Sequence, residues 1–97
     1  MLKKNHEGAA AVLVPIIAMF YGIVIRMYFQ QSEHNPPHVH AFCDGYAAAI
    51  GIRDVSIMDG SLPQRAFGLV RDWILVHQVE LLDMWETQEF RRLAPLA

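Results

Sequence analysis

The sequence predicts one α+β domain, with an antiparallel sheet of three or four strands covered on one face by one long or two consecutive C-terminal helices. Two observations predict this class. Apolar residues alternate with period two in the first half, whereas after Ser61 they recur every three or four positions. The third observation is size, because 97 residues that are 54% hydrophobic can form one core but not two.

Period-two patterns and turn residues place the strands. The first strand is predicted over residues 21–29, where every odd position is apolar. Strands over 38–43 and 46–52 flank Asp44-Gly45, a dipeptide typical of a two-residue type I′ hairpin. Counting outward from this turn pairs His40 with Ala49, and places His38 and His40 on the face opposite Cys43. A short fourth strand is predicted over residues 55–58.

The C-terminal half carries a helical pattern. Ser61-Leu62-Pro63-Gln64 has the form of a capping box, and an apolar stripe follows from Ala66 to Trp85. His77 lies in this stripe and is predicted to be a hydrogen-bonded core histidine. The pattern leaves open whether this is one helix or two helices broken near residues 77–78.

The predicted organisation is a loosely ordered N-terminal extension over residues 1–13, a domain over 14–92 and a C-terminal tail over 93–97. The run from Gly8 to Ile25 has no charge and reaches the length of a membrane span. Pro15, Gly22 and the β-branched clusters favour strand instead, so we expect no membrane association. The single cysteine fits a reducing compartment, and we expect a cytoplasmic protein.

The residues that can take part in catalysis or ligand binding are concentrated in the sequence His34-Asn35-Pro36-Pro37-His38-Val39-His40-Ala41. Two imidazoles on one strand face can act as acid and base, or, with His34 as a third ligand, can bind a metal. They can equally have a structural or partner-contacting role. Because the motif has no carboxylate other than Glu33 and Cys43 faces away, we expect no bound metal and no cofactor.

Two residues of the first predicted strand can add to this cluster. Arg26 and Tyr28 lie off the core face, and they complete a polar site if that strand neighbours the histidine strand. The formal net charge is −2, and neither half of the chain has the positive excess that phosphate-backbone binding requires. A nucleic acid is therefore a candidate partner, but the net charge of the chain does not support it.

Three groups of residues carry a resemblance to a known family. The first group is residues 20–28 together with the histidine motif. The second is Asp59-Gly60-Ser61-Leu62-Pro63, and the third is Trp73-x-x-x-His77-x-x-Glu80-Leu81-x-x-x-Trp85. Over about residues 14 to 90 the chain resembles the small bacterial family DUF4160, whose activity is not established. The chain departs from the family pattern where Arg53-Asp54-Val55 lacks a glycine. A second departure is the longer stretch before His34.

The resemblance implies a partner, because members are often encoded beside a second small protein in an arrangement that looks like a toxin–antitoxin pair. Our first hypothesis is a binding module of such a two-protein regulatory pair. The alternative is a metal-independent, ribonuclease-like toxin that uses a histidine pair as acid and base. The pattern is also compatible with a homo-oligomer. The candidate catalytic residues are His38 and His40, and the candidate binding residues are Arg26, Tyr28, His34, Asn35, Pro36 and Pro37.

Overall fold

The computed structural model describes residues 14–29 and 35–97. Over these ranges the chain forms an antiparallel meander followed by two helices. The strands are β1 (Ile16–Phe20), β2 (Ile23–Arg26), β3 (His38–Cys43), β4 (Tyr46–Gly51) and β5 (Ile57–Gly60), and their order in the sheet is the order of the sequence. The helices are α1 (Gln64–Val76) and α2 (Gln78–Thr87). The predicted α+β class is confirmed, with five strands instead of three or four.

The first predicted strand is wrong in its bounds. Residues 21–29 do not form one strand, because Tyr21 and Gly22 have positive φ angles of 50° and 79° and make the turn between β1 and β2. The register shifts between Ile16 and Ala18, so that both Ile17 and Ala18 are buried. Two consecutive buried residues break the period-two pattern, which is why the sequence did not reveal β1.

The predicted β3–β4 hairpin is confirmed in every pair. His38 lies opposite Gly51, His40 opposite Ala49 and Cys43 opposite Tyr46. Asp44 and Gly45 have φ angles of 50° and 82°, which a type I′ turn requires. The next strand begins later than predicted, at Ile57, because the connection takes up residues 52–56.

The helices cover one face of the sheet and one end of its strands. The core joins both helices to β1–β4 through fully buried side chains such as Ile25, Val39, Ile50 and Trp73. At the end of the sheet, the Gln78 side chain donates to the carbonyl oxygen of Ile52 (2.7 Å). In residues 14–29 and 35–97, neither helix is long and apolar enough to cross a membrane.

The break between the helices falls at His77, one of the two alternatives that the pattern left open. The predicted capping box does not form, because Pro63 occupies the N-cap position without a side-chain cap. His77 is 9% exposed; its ring contacts Glu80 Oε1 through Nδ1 (2.7 Å) and the carbonyl of Ala94 through Nε2 (2.9 Å). The prediction of a hydrogen-bonded core histidine is therefore confirmed.

The predicted tail, residues 93–97, begins with residues that pack on the domain. Leu93 is buried, and its amide donates to the carbonyl of Ile17 in β1 (2.9 Å). The Trp73 indole also donates to the Ala94 carbonyl (2.9 Å). These contacts hold the C-terminal segment against α1 and the outer edge of β1. Residues 1–13, predicted to be an extension, lie outside the described residues.

Candidate functional site

One face of the sheet has no helix over it among the described residues. Side chains alternate along each strand, so the residues opposite the core share this second face. We call it the open face; its residues are Met19, Val24, Arg26, Tyr28, His38, His40, Phe42, Ala47, Ala49, Gly51 and Asp59.

The predicted pairing of Arg26 with the histidine strand is present. Arg26 of β2 lies opposite His40 of β3, which lies opposite Ala49 of β4, which lies opposite Asp59 of β5. A cation and an anion therefore flank His40 along one row of the open face. The neighbouring row is apolar and consists of Met19, Val24, Phe42 and Ala47.

Four aromatic rings form a continuous ladder at one end of the open face. The centroids of Tyr28 and His40 are 4.3 Å apart, those of His40 and His38 are 5.1 Å apart, and those of His38 and Trp85 are 5.0 Å apart. The structure thus brings together the predicted site residues Tyr28, His38 and His40. Both histidine side chains are half-buried, and Tyr28 is 38% exposed. We call these four rings the ring ladder.

A backbone carbonyl fixes the orientation of the His38 ring. Nδ1 lies 2.9 Å from the carbonyl oxygen of Pro36. Since a carbonyl can only accept, Nδ1 carries the proton, and in the neutral ring Nε2 keeps its lone pair. His38 can therefore present an acceptor or a base at Nε2, held in place by the two-proline segment that precedes it.

His40 has a different electrostatic environment. Burial lowers the pKa of its imidazole, and the neighbouring His38 lowers it further, while Asp59 opposes both effects. The neutral ring is consequently the favoured form of His40 in the folded protein. A neutral imidazole can accept or donate a hydrogen bond to a partner surface, but it cannot act as the general acid of a catalytic pair.

The remaining predicted residues have other positions. The Arg26 guanidinium donates to the carbonyl of Val14 (2.6 Å) and is thereby tied to the segment just before β1. Asn35 and Pro36 are exposed and Pro37 is buried, immediately before β3. His34 lies outside the described residues. Within residues 14–29 and 35–97, no three His, Cys, Asp or Glu side chains are grouped closely enough to hold a metal ion.

Sequence reasoning missed two members of this site. Trp85 was assigned to the helical core stripe, yet its ring also contacts His38 across the end of the sheet. Asp59 was not among the candidate site residues, yet it lies on β5 in the row of His40. Both contacts depend on where α2 and β5 pack, and no local pattern encodes that. Cys43 lies against the core, as predicted, and not with the histidines.

The lowered pKa of His40 predicts a pH dependence of stability. In the unfolded chain the imidazole has its ordinary pKa, so the unfolded state binds more protons as the pH falls through this range. The contribution of the neutral His40 ring to the free energy of unfolding is therefore complete above the ordinary histidine pKa. It is lost as the pH falls towards and through the lowered pKa of the folded protein. We expect the wild-type free energy of unfolding to decrease more steeply from pH 7.5 to pH 5 than that of a His40→Gln variant. Urea unfolding at both pH values measures this, and equal slopes would contradict it.

The comparisons with known proteins give a family but no activity. The family model of DUF4160, a domain of unknown function, matches residues 22–86, which is more than half of the chain. The match includes β2, the whole histidine strand and the ring ladder. No curated protein and no solved structure matches the chain significantly. The chain therefore belongs to the DUF4160 family.

Proposed function

We propose that this protein is a protein-binding module whose open face and ring ladder contact a partner protein. One observation carries the proposal: a sheet face without a covering helix places half-exposed rings beside apolar side chains. Met19 is 52% exposed, Tyr28 is 38% exposed, and Phe42 is half-buried on the same face. Exposed apolar and aromatic groups of this kind, with polar groups among them, are typical of protein–protein interfaces.

The charges of the open face support a protein partner over a nucleic acid. Arg26 and Asp59 balance each other in the row of His40, and the whole chain has a formal net charge of −2. A phosphate backbone requires several unopposed cations. A surface with one cation, one anion and two imidazole rings suits a polar and apolar protein surface instead.

The imidazoles supply directional contacts. Because Pro36 fixes the proton of His38 on Nδ1, the Nε2 lone pair of this ring can accept a hydrogen bond from the partner. Ala49 and Gly51 lie opposite His40 and His38 with the smallest possible side chains. Both small residues are buried, so the half-buried imidazoles are the groups of this part of the face that a partner can contact.

The partner that we propose is a second small protein encoded by a neighbouring gene, in a bacterial pair that resembles a toxin and its antitoxin. This part of the proposal rests on the family resemblance and on the single cysteine, which suits a cytoplasmic setting. A second copy of this chain bound through the same face is the competing outcome, and the oligomeric state of the purified protein distinguishes it.

Replacement of both ladder histidines tests the proposal. We expect His38→Ala with His40→Ala to abolish co-purification with the neighbouring gene's product while lowering stability by no more than about 1–2 kcal/mol, as for ordinary substitutions. Size-exclusion chromatography after co-expression measures binding, and urea unfolding measures stability.

A matched control lies on the opposite side of the molecule. The helices carry exposed apolar side chains near their junction, and Val76 and Val79 are 69% and 82% exposed. Val76→Ala with Val79→Ala should leave the complex intact. If this control loses the partner and the histidine variant keeps it, the open face is not the interface.

The alternative function is metal-independent cleavage of RNA by His38 and His40. The specific observation in its favour is the fixed tautomer of His38, which provides a base at Nε2. Against it, the lowered pKa of His40 makes this ring a poor general acid at neutral pH. Incubation of the purified protein with single-stranded RNA tests this reading, since cleavage that both histidine variants abolish would favour it.

A further inference from the structure

A pocket lies beside the ring ladder at the end of the open face. Its volume is about 180 Å³, and its lining residues are Pro36, Pro37, Gly51, Arg53, Asp54 and Met58. Gly51 pairs with His38 across β3 and β4, so the pocket and the ladder adjoin each other. Two prolines and a methionine make its walls mainly apolar.

Hydrogen bonds hold the proline wall in position. The Pro37 carbonyl accepts a bond from the amide of Ile52 (2.9 Å), and the Pro36 carbonyl accepts one from the His38 ring (2.9 Å). Proline also has a fixed φ angle, which limits the motion of this wall further. The proline wall of the pocket is therefore preorganised.

Gly51 lines the pocket within contact distance of the Asp54 carboxylate. A Cβ atom at Gly51 would run into the carboxylate of Asp54, so no larger residue fits without a local shift. Pockets for drug-sized molecules usually enclose about 300–1,000 Å³, so this one is too small for such a ligand. Its size instead suits one amino-acid side chain.

The rim carries one cation, Arg53, and one anion, Asp54, which form no ion pair with each other. The Asp54 carboxylate accepts a hydrogen bond from the Ser56 hydroxyl (2.9 Å). Arg53 is exposed, and its guanidinium has no ion pair with any residue in 14–29 or 35–97. A carboxylate of a bound chain can thus pair with Arg53 while its apolar neighbour enters the pocket.

We propose that this pocket receives one large apolar side chain of the partner protein, next to an acidic residue that pairs with Arg53. The inference rests on the proposed function and adds the chemical character of the segment that binds. Anchor side chains in preformed pockets commonly contribute most of the affinity of an interface. The partner segment is accordingly a short stretch in which one leucine, methionine or phenylalanine lies beside one Asp or Glu.

Selection from a library of random displayed peptides tests the inference with a defined probe. We expect peptides enriched on the wild-type protein to share one large apolar residue beside an Asp or Glu. Met58→Ala should weaken their binding about tenfold, a loss of about 1.4 kcal/mol, and Arg53→Gln should weaken it less. Ile57→Ala is the matched control, because Ile57 is as exposed as Met58 (41% and 42%) but does not line the pocket.

The outcomes separate this inference from the proposed function. The assignment of the pocket as a binding site is overturned if no such peptide is enriched. It is also overturned if the Met58→Ala and Ile57→Ala variants bind the peptides equally well. If the Met58→Ala variant keeps the gene-neighbour partner while the double histidine variant loses it, the pocket is wrong and the binding function stands. If the peptides bind in the pocket but neither variant affects the natural partner, the proposed interface is wrong.

Discussion

Gly60→Ala is expected to lower the free energy of unfolding by about 2–4 kcal/mol, the sum of backbone strain and steric overlap. Gly60 has a φ angle of 77°, a region that favours glycine. A Cβ atom there would also overlap the carbonyl oxygen of Ala47 and lie 3.0 Å from Cα of Ala48. Those atoms belong to β4, which pairs with β5 at this point, and cannot turn away. Urea unfolding of the variant measures the loss.

Gly45→Ala separates the two causes. Gly45 has a similar φ angle of 82°, but nothing lies within 4 Å of the Cβ position. This substitution adds strain without overlap, so we expect it to cost about 1 kcal/mol. If Gly60→Ala lowers the free energy of unfolding no more than Gly45→Ala does, β5 does not approach β4 closely at Gly60.

His77→Ala is expected to lower the free energy of unfolding by about 2–4 kcal/mol, through a cavity and lost hydrogen bonds. The ring is buried at the junction of α1 and α2, with its centroid 5.1 Å from that of Trp73. It bridges Glu80 and the Ala94 carbonyl, so its removal also loosens the C-terminal segment. Urea unfolding measures the loss, and amide exchange at Leu93 reports the loosening.

The two histidines of the ring ladder provide the control for the predicted effect of His77→Ala on stability. His38 and His40 are half-buried on the open face, and we expect their joint replacement to cost less than the single replacement of His77. The reverse order of costs would mean that the ladder histidines are core residues and that His77 is peripheral.

Local sequence signals predicted the centre of this fold. The Asp44-Gly45 turn determined the whole register of the β3–β4 hairpin, because side chains alternate strictly outward from a two-residue turn. The same counting placed His38 and His40 on one face with small residues opposite.

Prediction failed where the structure departs from regular alternation. The register shift in β1 buries two consecutive residues and conceals the strand, and a second shift between Ala49 and Ile50 accompanies the displaced β5. Pro63 at the N-cap replaced the predicted capping box. Each of these features is set by packing against neighbouring strands or helices, which a local pattern does not contain.

The candidate site was predicted in part for the same reason. His38, His40, Arg26 and Tyr28 could be grouped by parity along two strands. Trp85 and the pocket residue Met58 come from later elements, and only the folded chain brings them to the histidines. Tertiary contacts of this kind have no signature in a single sequence.

Methyl-resolved NMR of the protein, titrated with the product of the neighbouring gene, tests the central claim most directly. Methyl groups report on both surfaces, through Met19, Val24, Ala47 and Ala49 on the open face and Leu75, Val76 and Val79 on the helices. We predict that the open-face methyl resonances shift on complex formation while the helical ones stay in place. Shifts confined to Leu75, Val76 and Val79 would contradict the account.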